Sequence, residues 1–438
     1  MNILCLTHGT DGDIHPLIGL AVALRDRGHR ITMMLNEFFE PAARRHGFEF
    51  VSMGTAQEYQ EMLDLPGLFH PVEGIRILGR YVTKPMRAHY QAVVDRYEPG
   101  NTVVVASGAA FGARIAQDKH GIPLATIVLQ PAMVRSAYRP PVVAGAPRIP
   151  SWLPRSAKRM LFGIVDILGD RLFHSATVNS FRAELDLPPV KRLVNEWWLS
   201  PQCILGLFPA WFAQPQPDWP AHLRLTGFPM HDERGAAPQL PDDVRRVFEA
   251  DPAPVVFTPG TGVKNRRWFF EAAAEACVRL GRPGVFLTRY PQQIPENLPS
   301  LIRHFEYVPF SQILPRTAVI VHAGGIGTCA QAFAAGIPQL LVPLAYDQPD
   351  NADRIKEMGV GDWLKPKNFR GPAVAKMLEH LIASPEIRGR CQALTAKFQG
   401  IDPLGDTCRW IESLVDGSSD PPTPPPHGRG RPAGLPAG

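Results

Sequence analysis

Short apolar runs bounded by glycines alternate with stretches whose apolar residues recur every three or four positions, and this alternation occurs twice along the chain. The run at residues 2–7 predicts a buried strand. A polar turn then runs through His15, and Pro16 is expected at a first helical position, where its missing N–H is harmless. Leu17, Leu20, Ala21 and Leu24 follow at helical spacing until Gly28, and residues 31–35 resume a strand. The same order returns as a strand at 102–106, a helix at 112–119 and a strand at 124–129. A second series has strands at 255–258, 285–287, 319–322 and 339–342 and a helix at 267–280. Continuous apolar strands separated by helices imply parallel sheets covered on both faces, an α/β class.

Between the two series, residues 209–254 are rich in proline, aspartate and alanine, as a linker should be. A cut near 236 gives domains 1–235 and 236–416. Residues 417–438 are dominated by proline and glycine, with Leu435 the one sizeable apolar side chain; such a tail cannot repay the entropy of ordering and is expected to be disordered. The 438 residues are 45% hydrophobic and 20% charged, a globular composition with no apolar run long enough to span a bilayer. No basic leader precedes the first apolar run, so a cytoplasmic location is expected. The six cysteines have no Cys-x-x-Cys spacing and read as reduced core residues. A net charge of +5 without a continuous basic stripe argues against nucleic acid as a partner.

Chemistry concentrates in VHAGGIGTCAQAFAAGIPQLLVPLAYDQPDN, residues 321–351. Gly324, Gly325 and Gly327 follow a strand and let backbone N–H groups approach a ligand, while a helix expected to begin at Thr328 points its positive end the same way. Phosphate oxygens fit that arrangement, and His322 offers a further hydrogen bond. Asp347 and Gln348 pair a carboxylate with an amide, which suits adjacent sugar hydroxyls. Taken alone, the turn also fits mere packing, and the Asp-Gln pair a solvated loop.

In order and spacing, His322, Gly324, Gly325, Gly327, Thr328, Gly336, Pro338, Pro343, Asp347, Gln348 and Asn351 resemble the donor signature of the family 1 glycosyltransferases, the UDP-glycosyltransferase superfamily. The resemblance implies a GT-B fold of two Rossmann-like domains facing across a cleft. It further implies that His322 and the turn to Thr328 bind the diphosphate of a UDP- or TDP-hexose, with Asp347 and Gln348 on the sugar. Thr261, in Phe257-Thr258-Pro259-Gly260-Thr261, falls where the family places a phosphate-contacting hydroxyl. Tyr307 and Val308 fall where plant members carry Trp-x-Pro-Gln, Tyr307 as a platform for the base or as a core aromatic, with Phe310 in place of the glutamine.

HGTDGDIHPLIGL, residues 8–20, resembles the acceptor-side loop of bacterial antibiotic-type and sterol-type members, which puts an aspartate where plant enzymes have a catalytic histidine. Asp13 is therefore the expected base, with His8 and His15 as rivals and helix capping as its other reading. Ser107 occupies the place of the aspartate that orients the plant histidine, a coherent double change because a carboxylate needs no such partner. Asp11 and Asp13 form an Asp-x-Asp pair in the wrong half for a metal on the diphosphate, so neither metal nor other cofactor is expected. Aromatic and aliphatic residues in 66–90 and 131–200, among them Phe69, Met133 and Trp152, are expected with His15 to line a pocket for an apolar hydroxyl-bearing acceptor. The stretch from Lys158 to Phe173 is amphipathic and, with Arg155, Lys158, Arg159 and Arg171, compatible with transient contact with a membrane surface. The choice between monomer and homodimer stays open.

The resulting expectation is an inverting, metal-independent hexosyltransferase, the donor UDP-glucose by family habit. The alternatives are a nucleotide-sugar hydrolase or epimerase of the same fold and a non-catalytic nucleotide-sugar-binding protein.

Overall fold

A computed structural model describes residues 1–230 and 240–415. The cut near 236 and the tail 417–438 lie outside the described residues. The first sheet is formed by β1 (Asn2–Leu6), β2 (Arg30–Leu35), β3 (Glu49–Ser52), β4 (Thr102–Ser107), β5 (Leu124–Val128), β6 (Cys203–Gly206) and β7 (Leu223–Leu225). Its order is β3-β2-β1-β4-β5-β6-β7. The second is formed by β8 (Val255–Thr258), β9 (Gly284–Leu287), β10 (Ile302–Phe305), β11 (Val319–His322), β12 (Gln339–Leu341) and β13 (Gly361–Trp363), in the order β10-β9-β8-β11-β12-β13. Every pairing is parallel. Both sheets reverse direction of winding at one place, between β1 and β4 in the first and between β8 and β11 in the second. Crevices at the carboxyl ends of such strands are where this architecture holds ligands.

The sheets are apolar on both faces because helices cover both. Ile3, Cys5, Val103 and Val105 pack with Leu17, Leu20 and Leu24 on one side, and Leu4, Leu6, Val104 and Ala106 with Phe111, Ile115 and Val178 on the other. All six cysteines are buried and free. Two segments cross from one lobe to the other. Trp211, Phe212 and Phe228, which follow β6 and β7, pack on Phe333 of the second lobe with ring centroids 5.6 to 6.1 Å apart. In exchange, helix Pro403–Glu412 returns to the first lobe, burying Cys408 and Ile411 beside Leu24, with the Thr407 and Thr226 hydroxyls hydrogen-bonded at 2.8 Å.

One sequence expectation fails in the first turn. The helix after β1 spans Asp11–Asp26, so Pro16 lies inside it and not at its start. The carbonyl that loses its helical partner belongs to Gly12, an exposed residue.

Candidate active site

The first lobe's site is built by the turn between β1 and helix Asp11–Asp26. Thr10 is the N-cap, and the Thr10 N–H donates to Asp13 Oδ2 at 2.9 Å, closing a capping box. Gly9 permits this. It sits at φ +129, and a Cβ there would lie 2.1 Å from Asp13 Oδ2. Asp13 thus both caps the helix and remains at the strand end; the two readings of the sequence are not exclusive. Burial pushes its carboxyl up to about 6, with the Asp11 charge adding to the rise and the Thr10 hydrogen bonds opposing it. A carboxyl so poised accepts a proton near neutrality more readily than an ordinary aspartate. Asp11, the other acid of the Asp-x-Asp pair, is turned to Arg289 of the second lobe as an ion pair.

Across the cleft, the second lobe offers an uncapped helix start. Helix Ile326–Ala335 has Gly325 as its N-cap, with no side-chain cap and no acid in its first turn. It begins two residues before Thr328, which stands in its first turn. A Cβ at Gly325 or Gly327 would meet nothing within 4 Å, so the space a side chain would fill at this helix start is open. Gly324, at φ +98, is held against Leu341 and the Gln348 backbone, where only glycine fits. Such a start favours an anion by about 0.3 to 1 kcal/mol, and up to roughly 2 in partly buried geometry.

His322 departs from expectation. It is 1% exposed; its Nδ1 accepts from the Gly324 N–H at 3.1 Å, which leaves Nε2–H to donate to Gln339 Oε1 at 3.0 Å. Both nitrogens are taken inside the protein, and burial lowers the imidazole to about 4, keeping it neutral. The residue therefore fixes the shape of the glycine turn from beneath, in place of the phosphate hydrogen bond the sequence suggested.

Asp347 precedes helix Gln348–Met358, and its Oδ2 accepts from Asn351 Nδ2 at 2.7 Å. The same Asn351 amide donates to the Gly324 carbonyl at 2.9 Å, so one side chain ties the carboxylate to the glycine turn. Burial and then the charge of Asp13 push the Asp347 carboxyl up to about 7. The two acids thus feel each other across the cleft; for like charges the repulsion appears on whichever ionises second, here Asp347. Gln348 Oε1 accepts from the Leu344 and Ala345 N–H groups at 2.8 and 3.1 Å, so only its NH₂ is left for a ligand.

The remaining expected residues divide. Thr261 is exposed at the end of β8, beside Gly260 at φ +102. Tyr307 is 41% exposed, as a platform would be and a core aromatic would not, while Val308 is buried. Phe69 lies at the cleft, its ring 6.1 Å from that of Tyr346 and under the Arg266 guanidinium at 5.7 Å. His15 lies near Asp11, with Nε2 3.9 Å from its carboxylate. Met133 packs into the aromatic cluster between the lobes. Trp152 is a correction: it is 79% exposed, which a residue enclosed against an apolar acceptor would not be. His8 stacks on buried His89 at 4.6 Å, and burial lowers its imidazole to about 4.

The sequence reading missed residues that join the lobes. Tyr346, at φ +58, donates its hydroxyl to the Leu68 carbonyl, Lys264 Nζ pairs with Asp64 at 2.6 Å, and a Cβ at Gly262 would meet Thr10 Cγ2 at 2.8 Å. Arg266 was missed too. It lines a crevice with Pro259, Phe269, Ala323, Val342 and Leu344 beside the glycine turn, and its buried Nε has no protein partner among the described residues. Burial disfavours its charge, which an anion would restore. Only long-range contact reveals these residues; none belongs to a local pattern.

Two doubly wound sheets, an open helix start on one and a poised acid on the other define a GT-B glycosyltransferase. Residues 3–139 match the glycosyltransferase family 28 N-terminal domain, and residues 286–400 the erythromycin biosynthesis protein CIII-like C-terminal domain. The chain is 27% identical to the O-mycaminosyltylonolide 6-deoxyallosyltransferase of Streptomyces fradiae, over 97% of this chain and all of that one. It is 27% identical to the vancomycin aglycone glucosyltransferase of Amycolatopsis orientalis, over 82% and 85%. Its fold matches the glycotransferase of kitacinnamycin with a TM-score of 0.71 at 19% identity, covering 94% of this chain and 99% of that one. It matches the glycosyltransferase VinC, solved in complex with DTDP, at 0.66 and 18%, covering 95% and 100%. The chain belongs to the antibiotic-type family 1 glycosyltransferases and transfers a sugar from a nucleotide-sugar donor.

Proposed function

We propose that this enzyme is an inverting, metal-independent hexosyltransferase acting on a hydroxyl of an apolar small molecule, with Asp13 as its base. The acceptor O–H proton passes to Asp13, the oxygen bonds to the anomeric carbon, and the bond to the nucleotide diphosphate breaks with its electron pair leaving on the phosphate oxygen. The charge that develops there meets the N–H groups from Gly325 to Thr328 and the helix start behind them, in the place of a cation. Asp347 and the Gln348 amide orient the hexose, Thr261 contacts phosphate, and Tyr307 stacks on the base.

The observation that carries this reading is the opposition of the two junctions, an uncapped helix start facing a carboxylate held near 6. The donor nucleotide is assigned as UDP or TDP, the latter supported by the DTDP complex of VinC. A small-molecule acceptor is supported by the relatives' names, which are those of a 6-deoxyallosyltransferase of O-mycaminosyltylonolide and a glucosyltransferase of the vancomycin aglycone.

The test is nucleotide diphosphate release from UDP-glucose and TDP-glucose, with and without a panel of polyketide, phenolic and sterol alcohols. Release that depends on the alcohol, with a product of inverted anomeric configuration, is expected. Release without an acceptor would make the enzyme a hydrolase, and binding without release a carrier.

A further inference from the structure

Helix Arg155–Leu172 is turned inside out relative to the other helices of the first lobe. Its residues four apart on one face, Lys158, Phe162 and Asp166, are 4 to 8% exposed against the protein body. Asp166 accepts there from Arg135 at 2.6 and 3.0 Å and from Asn195 Nδ2 at 2.5 Å, and Lys158 Nζ donates to the Ser151 carbonyl at 3.1 Å. The opposite face carries Met160, Ile164, Ile167 and Leu168, at 67, 54, 60 and 54% exposure, spaced as one helical stripe. Trp152, just before the helix, is 79% exposed, and Tyr138, under the Arg155 guanidinium, is 40% exposed. Scattered exposed apolar residues need no explanation, but a contiguous stripe on a helix that buries Lys158 and Asp166 does.

Charge decides what covers it. Arg159 and Arg171 are exposed and have no acidic partner among the described residues. The acids of the helix are occupied: Asp166 faces inward, and Asp170 accepts from the Arg192 and Leu193 N–H groups at 2.9 and 2.8 Å. An apolar stripe with aromatic residues at one end and unpaired arginines at its margins matches an anionic bilayer surface, where apolar side chains enter the acyl boundary and guanidinium groups meet lipid phosphates. A second copy of this face would bring like charges together. Among the described residues no helix is long and apolar enough to cross a membrane, so the contact lies in the plane of the interface.

We infer that helix Arg155–Leu172 docks the enzyme on an anionic lipid surface. The preceding segment explains the benefit. On its way from β5 it clasps helix Gln348–Met358, with Val142 N–H donating to Asp350 Oδ1 at 3.1 Å and Arg139 paired to Glu357 at 2.6 Å. The docking helix is thereby tied to the mouth of the cleft, and apolar acceptors that partition into lipid are delivered near it. The inference stands apart from the donor-site reading and survives if the sugar or base assignment fails.

The test is co-sedimentation of the whole chain with vesicles of phosphatidylcholine, alone or with about one-third phosphatidylglycerol. Binding to the anionic vesicles at least about tenfold tighter than to neutral ones is expected, falling with salt. Combined Met160→Ser, Ile164→Ser, Ile167→Ser and Leu168→Ser should abolish it. Arg159→Gln with Arg171→Gln should remove the preference for anionic lipid, at roughly fivefold per arginine. These side chains are exposed, so nucleotide diphosphate affinity should be unchanged and serves as the check on folding. No binding to anionic vesicles, equal binding by the serine variant, or a dimer in sedimentation equilibrium that the serine variant dissociates would each overturn the inference, the last assigning the face to a second copy of this chain.

Discussion

Two strand-to-helix junctions face each other across the cleft, built to one plan and finished in opposite ways. After β1, the helix start is closed by its own acid: Thr10 N–H is bound by Asp13, and Asp11 lies in the same turn. After β11, the helix start has no acid and no side-chain cap, and a Cβ at Gly325 or Gly327 would meet nothing within 4 Å. A helix start attracts negative charge in either case. In the first lobe the protein supplies that charge, on the residue proposed as the base. In the second it withholds it, which leaves the site for the charge a ligand brings. The difference between the proposed catalytic junction and the proposed binding junction lies here in the acids of the first turn, two in one and none in the other.

The largest effect should come from removing that carboxylate's charge. Asp13→Asn preserves a side-chain oxygen for the Thr10 N–H but no base, so steady-state transfer should fall by about 10² to 10⁴ with nucleotide diphosphate affinity nearly intact. Full-speed transfer by this variant would pass the role to His8 or His15. Next comes Gly9→Ala. Its Cβ would need the space of Asp13 Oδ2, at a φ of +129 that alanine adopts only under strain. A stability loss of about 1 to 3 kcal/mol in denaturant melts, with a parallel loss of kcat, is expected.

The pH profile sharpens the comparison further. With Asp13 held near 6, kcat/KM should fall about tenfold per unit below that pH, as the base takes up its proton. A profile flat down to pH 5 would contradict the burial that raises this group. The smallest effect concerns Asp347, whose native carboxyl lies near 7 against an ordinary 3.8. As pH rises from about 4 to 7 the unfolded chain has already lost this proton while the native state holds it, so folding loses stability across that window. Asp347→Asn should therefore raise the melting temperature of the ligand-free enzyme at pH 8 and leave it unchanged near pH 4.

Much of the fold was legible because parallel strands buried on both faces write themselves as unbroken apolar runs. Residues 255–258, 267–280 and 319–322 are elements in the structure at those very bounds. The failures are local or long-range in kind. Pro16 suggested a helix start, but the capping box at Thr10 begins the helix one and a half turns earlier. Trp152 is expected in a pocket because it lies in a stretch of the first domain outside the shared motifs, which the resemblance places around the acceptor; the helix it precedes buries Asp166 and Lys158 instead, an inversion that amphipathic spacing alone cannot orient. His322 stands out by its place in the motif, yet which way its nitrogens point depends on Gln339, seventeen residues away on the next strand. Asp11–Arg289 and Tyr346–Leu68, both 278 residues apart in sequence, leave no trace in any local pattern.

The most direct test is calorimetric titration of UDP and TDP onto wild type and Gly325→Asp. Gly325 has φ −61 and open space above it, so aspartate fits without strain and would cap the second helix as Asp13 caps the first. If the diphosphate occupies that helix start, affinity should fall at least about a hundredfold, from repulsion of roughly 3 kcal/mol, while the melting temperature holds or rises. Undiminished affinity in a folded Gly325→Asp enzyme would contradict the account.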